Sequence, residues 1–91
     1  MFVVVSYDVT SDRRRNRISR TLLDYGTRVQ YSVFECNLTA NQLSELEQRL
    51  LKVYDEAEDT IRIYRLCEGC FKQVEAYGKG KVTEDEEVYI V

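Results

Sequence analysis

The 91-residue sequence predicts an α+β domain, built from an antiparallel sheet with two helices on one of its faces. Three observations support this fold class: an apolar strand begins the chain, two later segments repeat large apolar residues at helical spacing, and strand-like segments lie between and after them. The resulting order, βαββαβ, is that of the ferredoxin-like unit. We assign residues 1–78 to this domain and residues 79–91 to a C-terminal extension.

The first strand and the first helix are predicted within residues 2–26. Residues 2–7 are rich in β-branched and aromatic side chains without alternating polarity, which is typical of a central strand. Thr10 or Ser11 is the predicted N-cap of a helix over residues 12–25, and Gly26 is its predicted C-terminal stop. The apolar stripe of this helix comprises Ile18, Leu22 and Tyr25.

The middle of the chain predicts more strands and a second helix. Residues 28–38 are strand-like, but without a glycine turn they are either one bent strand or a hairpin. Thr39 and Gln42 have the spacing of a capping box, which begins a helix that runs to about Tyr54. Its apolar stripe comprises Leu43, Leu46, Leu50 and Val53.

The last part of the domain is predicted to be mainly β-structure. A strand is expected over residues 60–66, and residues 74–77 are a candidate for a further short piece. Tyr54, Tyr64 and Phe71 are expected to pack between a helix and the sheet.

An apolar run, residues 88–91, ends the chain after an acidic run, residues 84–87. A domain of this size has a marginal core, and an apolar terminal strand must pair with something. We therefore predict a homodimer in which each C-terminal strand pairs with the partner's sheet.

The composition excludes several classes of chemistry. The chain contains no histidine, so mechanisms that use imidazole as a base, a nucleophile or a metal ligand are excluded, and carboxylates would have to carry catalysis. No apolar run approaches the roughly 20 residues of a membrane-spanning helix. Three cysteines are an odd number for a secreted disulfide framework. We expect a cytoplasmic protein with no membrane partner.

Cys67 and Cys70 form the sequence's one Cys-x-x-Cys motif. Zinc needs about four ligands, and only Cys36 is available besides this pair. A thioredoxin-like redox pair would be expected at the start of a helix, whereas this pair is predicted to follow a strand into a glycine-containing loop. We interpret the pair as two small side chains of a loop, with a redox role as the alternative.

The positive charge is concentrated near the N-terminus. The formal net charge is −3, yet residues 1–31 contain six arginines and three aspartates. Arginines in a first helical turn oppose the helix dipole, so helix stability does not explain Arg13, Arg14 and Arg15. At 100° per residue, Arg13, Arg17 and Arg20 form an exposed ridge opposite the apolar stripe. Such a ridge favours binding of nucleic-acid phosphates, and the alternative is a solvated helix face.

Asp8 is the first charged residue after the apolar first strand. A carboxylate at a fixed strand end is suited to binding Mg²⁺ or Mn²⁺, but one carboxylate makes a poor site. A two-fold axis beside Asp8 would supply a second copy, and the bound ion could then act on a phosphodiester. The alternative is that Asp8 only caps the turn before the helix.

Four segments of the sequence resemble the small CRISPR-associated adaptation-module nuclease family, the second core Cas protein. The resemblance covers nearly the whole chain, and its most specific part is Gly-x-Arg-Val-Gln-x-Ser-Val-Phe-Glu, which begins at Gly26. The segments are residues 5–9, 13–17, 25–35 and 61–66. Cys67-Glu68-Gly69-Cys70 departs from the family pattern.

The resemblance implies a ferredoxin-like homodimer with crossing C-terminal strands, acting as a metal-dependent endonuclease on RNA or DNA. It also implies a scaffold that binds the spacer integrase. Asp8 is implied as the metal ligand, with Tyr7 and Phe34 as supporting residues. Nucleic-acid contacts are implied for Arg15, Arg17 and Arg28. A non-catalytic dimeric DNA scaffold is the alternative function, and it would not need the Asp8 carboxylate.

Overall fold

The computed structural model of the protein describes residues 1–78. The predicted C-terminal extension, including the predicted pairing strand at residues 88–91, lies outside the described residues. Seven elements follow one another along the described chain: β1 (Phe2–Asp8), α1 (Asp12–Leu23), β2 (Gly26–Gln30), β3 (Val33–Asn37), α2 (Ala40–Leu51), β4 (Thr60–Leu66) and the short helix α3 (Glu68–Phe71).

The four strands form one sheet in the order β2-β3-β1-β4, with every neighbouring pair antiparallel. This is the predicted ferredoxin-like fold, with β1 as a central strand. Residues 28–38 are a hairpin rather than one bent strand, because Tyr31 and Ser32 form a turn between β2 and β3. A bulge between Arg28 and Gln30 interrupts the register of β2.

The two faces of the sheet differ in what covers them. On β1, Val3, Val5 and Tyr7 are buried and belong to the core shared with the long helices. Their neighbours in the strand, including Val4 and Asp8, point to the opposite face, because side chains alternate along a strand. We call this opposite side the open face. The helix stripes supply the other half of the core: Ile18, Leu22, Leu43, Leu46 and Leu50.

Both predicted helix starts are confirmed. The Ser11 side chain accepts a hydrogen bond from the Arg14 backbone N–H at 3.3 Å, which caps α1. Thr39 and Gln42 form the capping box of α2, with reciprocal bonds of 3.2 and 2.9 Å. The helices end earlier than predicted, at residues 23 and 51 rather than about 25 and 54.

Gly26 does not act as the predicted left-handed stop of α1. It is the first residue of β2, paired with Cys36, and its φ is not positive. A Cβ built on Gly26 would lie 2.3 Å from the Glu35 carbonyl oxygen and 2.5 Å from Cys36 Sγ. Close approach of β3 therefore explains this glycine, and Asp24 in helical conformation caps α1 instead.

Three predictions after β4 need correction or refinement. Residues 74–77 form no strand, and the predicted loop after β4 contains α3. Tyr64 is 48% exposed rather than packed beneath a helix, because it pairs with Val4 and so lies on the open face. Phe71 packs on the ring of Phe2 with centroids 4.5 Å apart, so it covers one end of β1. Tyr54 packs against the core as predicted.

Replacing Gly26 with alanine should destabilise the fold. The added Cβ meets backbone atoms of β3, which cannot move without breaking the sheet register, so we expect a loss of about 1–3 kcal/mol. Urea denaturation at fixed protein concentration measures it. Gly69→Ala is the control, because its nearest neighbour would be Cys67 Sγ at 3.9 Å and an alanine in the helix α3 should not lower stability. Equal stability of the two variants would contradict the close-approach explanation.

Candidate functional site

Asp8 is the exposed last residue of β1. It pairs with Thr60 of β4, and the backbone of β1 is held on both sides by β3 and β4. Its carboxylate accepts no hydrogen bond and forms no ion pair within residues 1–78. The central strand thus presents a carboxylate with a fixed backbone and no structural partner among the described residues.

The turn-capping role that was the alternative for Asp8 belongs to Asp59. Asp59 directly precedes β4, and its side chain is fully buried. Its carboxylate accepts hydrogen bonds from the backbone N–H groups of Thr10, at 3.3 Å, and Asp55, at 2.8 Å. The turn between β1 and α1 is therefore fixed by a residue that arrives from β4.

Arg14 completes this cluster from the first turn of α1. Its Nε donates to Asp59 at 2.7 Å and its Nη2 to the second oxygen of Asp59 at 3.1 Å, which is a bidentate pair. The same nitrogen reaches Glu58 at 3.2 Å. The Arg14 guanidinium, helped by the two backbone N–H groups, lowers the pKa of Asp59 to about 2. Most of the Arg14 donors are thus engaged within the fold.

Arg15 is also anchored at the start of α1. Its Nη1 donates to the carbonyl oxygen of Val9 at 2.8 Å, and its guanidinium forms an ion pair with Asp12. It holds the turn that follows Asp8 through the Val9 carbonyl. Structural contacts therefore account for two of the three arginines in the first turn, whose placement against the helix dipole had pointed to a function.

The remaining arginines of α1 form the predicted ridge, which consists of Arg13, Arg17 and Arg20. All three are exposed, and they lie opposite the buried residues Ile18 and Leu22. Within residues 1–78 the only hydrogen bond from their guanidinium groups is a 3.4 Å bond from Arg20 to its own helix. Seven residues at 1.5 Å each make the ridge about 10 Å long. These cations are available to an anionic partner.

Arg28 reaches the helical layer from β2. Its guanidinium donates to the Ser19 hydroxyl of α1 and lies over the Phe34 ring, 5.3 Å from the centroid. Phe34 also stacks with Tyr7, at 6.3 Å between centroids, and both rings are buried. Tyr7 and Phe34 therefore face the core, on the side of the sheet opposite Asp8.

Donors for a metal ion are few in a single chain. Within the described residues, no group of three or more Asp, Glu and Cys side chains is placed to hold an ion. Mg²⁺ commonly keeps several waters and takes only one or two carboxylates together with substrate phosphates. Asp8 fits that open kind of site as one ligand, but it does not fit a closed site within one chain.

Sequence reasoning missed two residues near Asp8. Asp59 could have been found from topology, because the start of an antiparallel neighbour lies beside the end of β1 and an acidic residue stands there. Arg62 pairs with Ser6 and so shares the open face with Asp8, two pairs along the ladder. Its guanidinium donates weakly to the Tyr64 hydroxyl, at 3.5 Å, and is exposed. It adds a cation beside the carboxylate.

None of the helices in residues 1–78 has the length and apolar character needed to cross a membrane.

Residues 1–74 match the family model described as CRISPR associated protein Cas2. A relative from Chloroflexus aurantiacus, named CRISPR-associated endoribonuclease Cas2 3, is 43% identical over 91 residues, which span 100% of this chain and 98% of the relative. A relative from Thermus thermophilus, named CRISPR-associated endonuclease Cas2 2, is 39% identical over 87 residues, which span 96% of this chain and 92% of the relative.

Solved structures also resemble the chain. Streptococcus pyogenes Cas2 superposes with a TM-score of 0.75 at 37% identity, covering 86% of this chain and 100% of that chain. A chain of a structure described as a partial Cas6-RT-Cas1–Cas2 complex superposes with a TM-score of 0.70 at 31% identity, covering 82% of this chain and 88% of that chain. These likenesses confirm the fold and extend over most of the chain.

The hydrogen bonds of Asp59 with Arg14, Thr10 and Asp55 should make the free energy of unfolding depend on pH in the acidic range. Because the pKa of Asp59 is lower in the folded chain than in the unfolded one, its contribution is present above about pH 4 and is lost as the pH falls towards 2. Asp59→Asn should be less stable at pH 7, and its stability should change less between pH 4 and 2. Denaturation across this pH range measures both effects.

Asp24→Asn is the matched control, because Asp24 also pairs with an arginine, Arg49, but its side chain is 62% exposed. Exposed pairs contribute little, so this variant should follow the wild-type pH profile. Equal losses of unfolding free energy in the two variants would mean that the burial of Asp59 does not strengthen its contribution to stability.

Proposed function

Because the chain belongs to the CRISPR associated protein Cas2 family, we propose that it is a metal-dependent endonuclease that hydrolyses phosphodiester bonds of RNA or DNA. We place its action in CRISPR spacer acquisition and defence against foreign nucleic acid. The names of its relatives, endoribonuclease and endonuclease, support the reaction class.

The observation that carries the catalytic proposal is the free carboxylate of Asp8. The groups that could have paired with a carboxylate in the turn after β1, the Thr10 backbone N–H and the Arg14 guanidinium, are bonded to Asp59. Asp8 is left exposed at the end of β1, where its backbone pairs with Thr60 of β4 just beyond the last residue of β1 that also pairs with β3. Such preorganisation suits a group that must hold a ligand in one place.

We propose that Asp8 binds Mg²⁺ or Mn²⁺ together with substrate phosphate. When bound, the ion would polarise the scissile phosphate and lower the pKa of a coordinated water. The role of the chain is to hold the carboxylate still and to bring cations to the phosphates beside it. Arg62, on the same face as Asp8, is suited to the second task.

A homodimer would complete this site. At the end of β1 a single chain offers the Asp8 carboxylate, and its described residues contain no three-ligand cluster. Besides Asp8, the open face carries apolar and aromatic groups, including Val4 of β1 and the exposed Tyr64 of β4. A second copy packed against this face would cover them and would bring a second Asp8 close to the first.

Nucleic acid is proposed to lie along α1. The ridge of Arg13, Arg17 and Arg20 begins four residues after β1, so it starts near Asp8. Arginine contacts to phosphates position a nucleic-acid strand but do not distinguish its base sequence. Arg14, Arg15 and Arg28 are proposed to contribute to the positive field, while their hydrogen bonds hold α1, the preceding turn and β2 in place.

A second candidate function is a non-catalytic dimeric scaffold that holds DNA for the spacer integrase. It is favoured by the likeness to a chain within a complex that contains Cas1 and Cas2. The arginine ridge would serve both functions equally. The two functions differ at Asp8, because the scaffold has no use for the carboxylate.

Asp8→Asn separates these functions. The substitution keeps the shape of the side chain and removes its charge, so we expect hydrolysis of RNA or DNA with Mg²⁺ to fall by several orders of magnitude. Nucleic-acid binding and the mass measured by light scattering should not change. Glu56→Gln, which alters an exposed carboxylate and the net charge equally, is the control. Wild-type binding without any metal-dependent cleavage would favour the scaffold.

Replacing Arg13, Arg17 and Arg20 with alanine should weaken binding about equally for all sequences. On duplex DNA, the slope of log affinity against log salt should become shallower by roughly one for each phosphate that the variant no longer neutralises. Fluorescence anisotropy across a salt series measures this slope.

The single variants Arg17→Ala and Lys52→Ala provide a matched comparison, since each removes one exposed cation. Only the first should flatten the salt dependence. Identical slopes for the two variants would identify the ridge as a solvated helix face.

A further inference from the structure

Cys67 and Cys70 lie where β4 ends and α3 begins, and both side chains are exposed. The sequence predicts a loop at this place, which argues against thiol chemistry. Instead Cys67 is the residue that caps α3 and Cys70 is three positions further on, in that helix. The reason for setting a redox role aside is therefore removed by the structure.

The two cysteines are in hydrogen-bond contact. The backbone N–H of Cys70 donates to Cys67 Sγ at 3.3 Å, which places both residues on one helical turn. Residues three apart on a helical turn have Cβ atoms about 5–6 Å apart, and a disulfide needs about 3.5–4.5 Å. A small adjustment of an exposed four-residue turn closes that difference. No third Asp, Glu or Cys in residues 1–78 joins them as a metal ligand.

The surroundings of the pair keep it in place and separate it from Asp8. The next residue, Phe71, packs on Phe2 at the beginning of β1, which anchors the turn to the sheet. Asp8 is at the other end of that strand, about 20 Å away at 3.3 Å per residue. Chemistry at the cysteines therefore does not need the proposed nuclease site.

The three cysteines differ in their readiness to ionise. The backbone N–H and the thiol of Cys70 both donate to Cys67 and lower its pKa, while the same thiol contact raises the pKa of Cys70. Burial raises the pKa of Cys36 to about 11. This is the asymmetry of an attacking thiol beside a resolving thiol, with Cys36 as an inert reference.

We propose that Cys67 and Cys70 form a dithiol–disulfide exchange site that reacts with low-molecular-weight disulfides. The Cys67 thiolate attacks one sulfur of the external disulfide, forms a mixed disulfide and expels a thiolate. The Cys70 thiolate then attacks Cys67 Sγ, forms the internal disulfide and expels the second thiolate. The protein dithiol is oxidised by two electrons, the external disulfide is reduced to two thiols, and the two protons pass to solvent or to the released thiolates.

Mass spectrometry of the full chain, reduced and then treated with oxidised glutathione under native conditions, tests this site. Wild type should lose two hydrogens through a Cys67–Cys70 bond and should retain no adduct. Cys70→Ser should accumulate one glutathione at Cys67, because the resolving thiol is missing. Cys67→Ser should react at Cys70 at least threefold more slowly, since its thiol has no lowered pKa. Cys36 should remain unmodified in all three.

Stable adducts on both Cys67 and Cys70 of wild type would overturn the proposal, as would equal reaction rates in the two serine variants. Failure of wild type to form the internal bond in a glutathione buffer in which free dithiothreitol becomes oxidised would also overturn it. The readout is thiol chemistry and not cleavage. Loss of nuclease activity in Asp8→Asn with normal disulfide formation would therefore keep the two sites independent.

Discussion

The buried carboxylate of Asp59 is the constraint on which the arrangement of the site depends. It joins the segment before β4 to the turn after β1 and the adjoining first turn of α1, since Asp59 is 49 residues from Thr10 and 45 residues from Arg14 in the sequence. A buried carboxylate is costly unless it is paired and hydrogen-bonded, and here Arg14 and two backbone N–H groups satisfy it. With this cluster formed, the end of β1 and the start of α1 have a fixed relation.

That relation explains how one short segment contains groups with different tasks. Arg14 and Arg15 point back into the fold, whereas Arg13 and Arg17 remain exposed on α1. The helix-dipole argument from sequence treated the first-turn arginines alike. The structure distinguishes them by their hydrogen-bond partners. A guanidinium paired with a bidentate carboxylate stabilises the fold, whereas one without any partner among the described residues can bind an anionic ligand.

Side chains alternate between the two faces of the sheet, so the residues that stabilise the core and the residues proposed to act on a ligand lie on opposite faces. Odd-numbered residues of β1, such as Val5 and Tyr7, build the core beneath the helices. Even-numbered residues face the other side, where Asp8 and Arg62 lie on neighbouring strands. The long helices cover only one face, and so the open face is the surface on which a second copy would have to be accommodated.

Local patterns in the sequence determined β1, β4, the strand character of residues 28–38, and both long helices with their N-terminal caps, because each depends on residues within a few positions of one another. The capping box of α2 and the exposed arginines of α1 are of this kind. Tertiary structure alone decided that Asp59 caps the turn instead of Asp8 and that Gly26 is needed by β3. Each of these depends on contacts formed only when the chain has folded: Asp59 meets its turn 49 residues back in the sequence, and a neighbouring strand closes over Gly26.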